Sequence, residues 1–322
     1  MAIGIIFAIL TGLSWVVVGA FVGLAEKRGC GSSRFLLVSS SFSLTVASLL
    51  YLTGHALMPG SAFSHFTAEP RAAACMFACG FFNYWMILAM GAAMARGPNG
   101  PAWTITQSGF VFPFALGVLS GNTRFTWLLA AGLVLVLSNV VANGLLRGGG
   151  SSASVDDRGG RRAGWFPLAL LAFVFCGINQ CASNLVSYLP EDVRPEALER
   201  IVWVAVGSLG GWSLDNIWRL LREGPSPREA GLRAKYLYVA KICAVNTTIS
   251  FSASLFFCYE AQDRLKDASA AAIAYPVMVV SCFLGFAAYS VIFLRERLSR
   301  LLWLAFAAGV LGIILLSAGA KG

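Results

Sequence analysis

Long apolar runs, each closed by a short polar stretch, repeat along the whole chain. By length they predict ten membrane-spanning helices, at about 3–24, 35–57, 72–95, 101–120, 125–146, 164–186, 200–221, 237–259, 268–293 and 300–319. The runs lack the polar–apolar alternation of a membrane barrel, so the expected fold class is an all-α integral membrane protein. Residues 147–163, RGGGSSASVDDRGGRRA, have no apolar face to bury. They are expected to form a flexible linker between a first half (1–146) and a second half (164–322) of five spans each. Because five is odd, the second half enters the membrane inverted, an arrangement that puts a solute site between the repeats near the midplane.

Internal likeness between the halves is faint but present. Gly12–Leu13–Ser14–Trp15 in span 1 parallels Gly177–Ile178–Asn179–Gln180 in span 6, and spans 4 and 9 each contain a proline, Pro113 and Pro276. The stretch from Gly97 to Asn122 stands out: Gly97, Pro98, Gly100 and Pro101 open it, polar residues fill its first half, and Pro113 interrupts it. In lipid, a broken helix must be enclosed by others or line a cavity, so this span is expected to form a wall of a solute path.

Composition agrees. Hydrophobic residues make up 57% and charged ones 12%, with a mean hydropathy of +0.73, more apolar surface than a water-soluble domain covers. The net charge of +9 invites a nucleic-acid reading until the charges are located: most Lys and Arg lie in short loops between apolar runs. Sixteen of the 24 fall in the loops after spans 1, 3, 5, 7 and 9, and seven in the other loops and the C-terminal tail. The expected location is therefore an inner (cytoplasmic) membrane, with odd-numbered loops in the cytoplasm and both termini outside. The first run has no basic residue before it and Glu26, Lys27 and Arg28 after it, the reverse of a cleavable signal. Seven of eight cysteines lie within apolar runs and no paired CxxC occurs, so they read as small buried hydrophobes.

The run from Leu294 to Gly319 resembles the last hairpin of the drug/metabolite transporter superfamily. Glu296, Leu298 and Ser299 match its turn, and Trp303, Gly309 and Gly312 match its final helix. Asn83–Tyr84, the Ser120–Gly121–Asn122 turn and Cys176–Gly177–Ile178 resemble the L-rhamnose–proton symporter-like branch. The resemblance implies ten helices in two repeats, both termini outside, and a sugar or sugar-like substrate taken up by alternating access with a coupling ion such as the proton.

Polar side chains inside spans are costly and mark pathways or interhelical bonds. The expected substrate-binding set is Trp15, Asn83, Tyr84, Trp103, Gln107, Asn179, Gln180, Asn246 and Tyr275. Amides that both donate and accept, beside flat aromatic rings, suit a small uncharged polar solute. Asn139 and Asn143 are expected to brace span 5. Asp215 is the proton-coupling candidate, although Arg219 one turn on is placed to form an ion pair with it. Lys241 is expected to snorkel, Glu260 to sit at a mouth, and His55 and His65 to be loop histidines. Glycines of spans 1 and 7, Gly12 and Gly207 among them, are expected to allow close helix packing. No GxxxxGK[ST] motif, HExxH motif or acidic cluster occurs, so neither ATP-driven transport nor an enzyme is expected, and no cofactor or metal. The partners expected are a small solute, a coupling ion and lipid. The alternative on the same fold is an exporter of amino acids or drug-like metabolites.

Overall fold

Every regular element among the described residues is helical. The structure is a computed structural model, described for residues 1–27, 31–57, 66–67, 69–96, 99–148, 164–223, 232–292 and 299–321. The linker from residue 149 onward lies outside the described residues. So do Arg28, Cys30, His65, Gly97, Pro98, Glu296 and Leu298.

The helices are α1 (Ala2–Lys27), α2 (Ser32–Leu57), α3 (Pro70–Arg96), α4 (Asn99–Gln107), α5 (Val111–Leu119), α6 (Trp127–Gly148), α7 (Trp165–Val186), α8 (Ala197–Glu223), α9 (Leu232–Ala253), α10 (Tyr259–Asp267), α11 (Ala274–Ile292) and α12 (Arg300–Gly319). Among the described residues, six stretches are long and apolar enough to cross a membrane: Ser32–Leu57, Pro70–Arg96, Pro101–Leu119, Trp165–Val186, Tyr236–Asp267 and Arg300–Gly319. Shorter apolar stretches lie at Ala2–Val18, Trp127–Ala142 and Ala271–Gly285. Large apolar side chains face outward all round, Trp127 at 87% exposure and Leu221 at 80%, as lipid contact requires. The protein is an all-α, multi-pass membrane protein.

α4 and α5 form one bent span. A 3₁₀ turn, Ser108–Phe110, joins them, and Pro113 is the third residue of α5. Proline has no N–H to give the carbonyl four residues back, and its ring crowds that carbonyl, so the helix tightens just before it. Another 3₁₀ turn, Ala271–Ile273, precedes α11, where Pro276 is again the third residue. Pro276 thus lies near a helix start, where proline is tolerated, rather than in the interior of its span.

α9 passes through a five-residue π turn, Ser254–Cys258, into α10 and reaches Asp267, eight residues past the predicted span end. The apolar run does stop near Tyr259, yet the charged extension remains helical because it is amphipathic. Ala261, Gln262 and Leu265 are buried on one face, while Arg264 and Glu260 pair one turn apart at 2.6 Å on the other.

α3 packs between α7 and α8. α1 packs on α9, α10 and α11, α2 on α8 and α9, α4 on α6 and α7, and α6 lies along α12. The α6–α12 seam is closed by Asn139, whose Nδ2 donates to the Ala305 carbonyl at 2.6 Å, and by Gly309 and Gly312, which face Asn139 and Val136. Ser299 caps α12, its hydroxyl accepting from the Leu302 N–H at 3.3 Å.

Candidate functional site

Where α1, α2, α3, α4, α7, α8, α9 and α11 converge they enclose a cavity of about 310 Å³. Eight of the nine predicted binding residues line it. Asn83 (α3), Gln107 (α4), Asn179 and Gln180 (α7) and Asn246 (α9) supply amides; Trp15 (α1), Trp103 (α4) and Tyr275 (α11) supply rings. The Trp15 and Tyr275 ring centres are 6.4 Å apart. These residues are far apart in sequence and meet because each sits on the inward stripe of its helix.

Their hydrogen bonding is uneven. Asn179 Nδ2 donates to Asn83 Oδ1 at 3.2 Å, and Cys79 Sγ donates to Asn179 Oδ1 at 3.0 Å. Gln180 Nε2 donates to Cys176 Sγ at 3.2 Å. Gln180 Oε1, Asn246 Oδ1 and the Ser250 hydroxyl are buried with no hydrogen-bond partner. Burying a polar atom without a partner costs about 1–3 kcal/mol. Residues of the wall thus hold buried polar atoms that no donor meets in this state. The lining residues described include no Asp, Glu, Lys, Arg or His.

Two predicted residues are elsewhere. Tyr84 is fully buried off the cavity, its hydroxyl donating to Asp215 Oδ2 at 2.7 Å and lying 2.9 Å from the Ser33 hydroxyl. Asp215 is held by Tyr84 and by Arg219, whose Nε donates to Oδ1 at 3.0 Å. Both are drawn into a polar junction of α2, α3 and α8, since a buried carboxylate is stable only when paired and hydrogen-bonded. Neither lines the cavity. Lys241 is exposed, and His55 stacks on Tyr51 with 6.1 Å between ring centres.

Sequence reasoning missed the α2 wall and Tyr259. Ser39, Ser40 and Ser43 line the cavity, with the Ser39 hydroxyl 2.9 Å from that of Thr247. The available signal was the run Ser39–Ser40–Ser41–Phe42–Ser43 inside an apolar span. Tyr259 lines the cavity, and the Arg200 guanidinium carbon lies 5.3 Å from its ring centre.

No known family model matches the chain, and neither does any curated protein sequence. Fourteen chains of solved structures do match. One, a crystal structure of a protein, superposes with a TM-score of 0.60 over 98% of this chain and 98% of its own, at 15% identity. At that identity the likeness shows the fold alone.

Proposed function

We propose that this chain is a secondary transporter that binds a small, uncharged polar solute, of sugar or sugar-like type, in the central cavity and moves it by alternating access. The observation that carries the reading is the lining itself: amides and aromatic rings from six helices, no charged side chain among the described residues, and unmet acceptors at Gln180 and Asn246. A polyhydroxylated solute supplies hydroxyl donors to those acceptors and C–H faces to Trp15, Trp103 and Tyr275. Such a protein acts by conformational exchange and needs no catalytic group.

The packing supports two inverted repeats of five spans. Numbering α4–α5 and α9–α10 as single spans and exchanging each span for its counterpart five later leaves the main neighbours unchanged. α3 on α7 becomes α9–α10 on α1; α3 on α8 becomes α9 on α2; α1 on α11 becomes α7 on α4–α5. Gly12 faces Met278 and Ser281, and Gly177, its counterpart, faces Phe112. The loop charges support an inner membrane with both termini outside. Asp215, the expected proton-coupling residue, lies off the cavity and is committed to Arg219 and Tyr84, so it is not proposed as the coupling site.

The test is thermal stabilisation of the purified protein by a panel of sugars, nucleosides and amino acids, repeated with Gln107→Ala and Gln180→Leu. Saturation at 100 times Kd stabilises by about 2.7 kcal/mol. A sugar response lost in the variants supports the reading. A response only to amino acids or lipophilic compounds replaces it with the exporter alternative.

A further inference from the structure

Beyond the cavity, α7 continues as a polar face toward the end of the bundle that holds both termini. Gln180, Ser183, Asn184 and Ser187 recur at spacings of three and four, so they share a face. Ser183 donates to Gln262 Oε1 at 3.2 Å, which ties that face to α10 at this one point. Asn184 and Ser187 are fully buried, and neither amide atom of Asn184 nor the Ser187 hydroxyl has a hydrogen-bond partner. Buried polar groups are almost always paired, and residues that only glued helices together would bond across the interface.

The same end is covered by a strap made of α10, the turn 268–270 and the 3₁₀ turn Ala271–Ile273. Three contacts pin it. Arg200 grips Asp263 through two nitrogens, at 3.1 and 2.7 Å. Arg194 grips Asp267 likewise, both bonds at 3.2 Å. Asn122 donates to the Lys266 carbonyl at 2.9 Å and accepts from the Ala271 N–H at 3.1 Å, beside Thr123, which accepts from the Ala272 N–H at 3.2 Å. On the cavity side the strap joins α9 through the π turn Ser254–Cys258, where the hydrogen-bond ladder slips by a residue and a helix bends readily.

We propose that Asn184 and Ser187 line the second half of the solute path, closed in this structure by the strap, and that the strap swings on the π turn when its pins release. The proposal rests on the carrier reading of the cavity. It accounts for the bare atoms: they lack partners here because water and solute reach them in the other state. A solute leaving Gln180 meets Asn184 one helical turn on.

The experiment places single cysteines, Asn184→Cys, Leu185→Cys, Ser187→Cys and Tyr188→Cys, in the full chain in nanodiscs. Modification by a bulky charged maleimide is read by mass spectrometry of the labelled peptide. Each is compared in the parent and with one pin removed, by Asn122→Ala or by Arg194→Gln. Tyr188→Cys labels throughout, because Tyr188 is part-exposed at that end, its hydroxyl 3.3 Å from that of Ser120. Expected is slow labelling at 184 and 187 in the parent, rising about tenfold when either pin is lost, as a population shift of that size requires, with 185 unchanged on the lipid side. No rise at 184 and 187 in both pin variants overturns the proposal. So does an equal rise at 185, which signals general unfolding. Labelling needs no solute, so a silent ligand panel with the expected labelling pattern would sink the carrier reading while the moving strap stands.

Discussion

Arg200 and Asp263 meet across the terminal end of the bundle, the guanidinium side chain 1% exposed and its far face against the Tyr259 ring. Arg200 Nε also donates to the Pro195 carbonyl at 3.0 Å, so the fork is fixed before it reaches the carboxylate. Removing one member of a buried pair strands the other charge at a cost of about 3–5 kcal/mol, an upper bound here because Arg194 Nη1 remains 4.0 Å from Asp263. Arg200→Met should lower unfolding stability by that order. Arg200→Lys should recover little, since an ammonium cannot reproduce the two-pronged geometry. The double variant Arg200→Met/Asp263→Leu should regain most of the loss, which chemical unfolding in detergent would measure. Neighbouring Arg194 stays charged: burial alone would lower its pKa, but the hydrogen bonds it donates to Asp267 and the charges of Asp263, Asp267 and Glu191 raise it.

α3 and α8 touch through glycines from both sides. A β-carbon at Gly80 would run into the Val204 carbonyl oxygen, and one at Gly207 into the Phe77 carbonyl oxygen, and backbone cannot step aside. At Gly210 the nearest atom is the tip of the Phe77 ring at 3.2 Å, which can turn away. Gly80→Ala and Gly207→Ala should each cost at least about 1–3 kcal/mol as overpacking, and Gly210→Ala much less. Melting temperatures of the three variants decide it.

Ser269 ends α10 at φ +56°, in the left-handed region that suits glycine. The Ala270 N–H bonds to the Leu265 carbonyl at 2.7 Å and the Ser269 N–H to the Lys266 carbonyl at 2.9 Å, the paired bonds of a Schellman ending. Ser269→Gly should stabilise the protein by up to about 1 kcal/mol, read as a rise in melting temperature.

The helices and most of the cavity were legible because lipid makes polar residues rare: an amide in an apolar run needs a reason, and for five amides the cavity supplies one. Spacing alone could not separate the two reasons such a residue has. Tyr84 and Asn83 are adjacent in sequence and point different ways, one into an interhelical junction and the other into the cavity. The Asp215–Arg219 pair was readable from its four-residue step, and its closure by Tyr84 from a distant helix was not. The α2 serines escaped because a hydroxyl can satisfy itself on its own helix, as Thr45 does on the Ser41 carbonyl at 2.8 Å. The reach of α10 escaped because hydropathy ends a span where charge begins, while helix continues as long as one face is buried.

Ligand binding should be flat between pH 6 and pH 8. Among the described residues the lining offers only cysteine and tyrosine as titratable groups, whose ordinary pKa values of about 8.5 and about 10 lie above that range. Thermal-shift titrations of the best ligand at both pH values should give equal Kd within error. A change of tenfold or more would place a titrating group in contact with the solute.

Asn139 and Gln180 are both buried amides, but their bonding predicts opposite behaviour. Asn139 joins α6 to α12 through the Ala305 carbonyl, and Gly309 packs on its amide. Asn139→Ala removes that bond and leaves a gap, so stability should fall by about 1–3 kcal/mol while ligand affinity stays the same. Gln180 holds the Cys176 sulfur with its nitrogen and leaves Oε1 buried without a partner, in a residue that lines the cavity. Gln180→Leu removes an unmet acceptor, so stability should hold or rise, while binding should weaken about tenfold or more for the loss of one hydrogen bond at the solute. Melting temperature and Kd measured on both variants separate the two roles. A Gln180→Leu protein that melts early and binds normally would make Gln180 part of the scaffold and move the solute to the Asn246 side of the cavity.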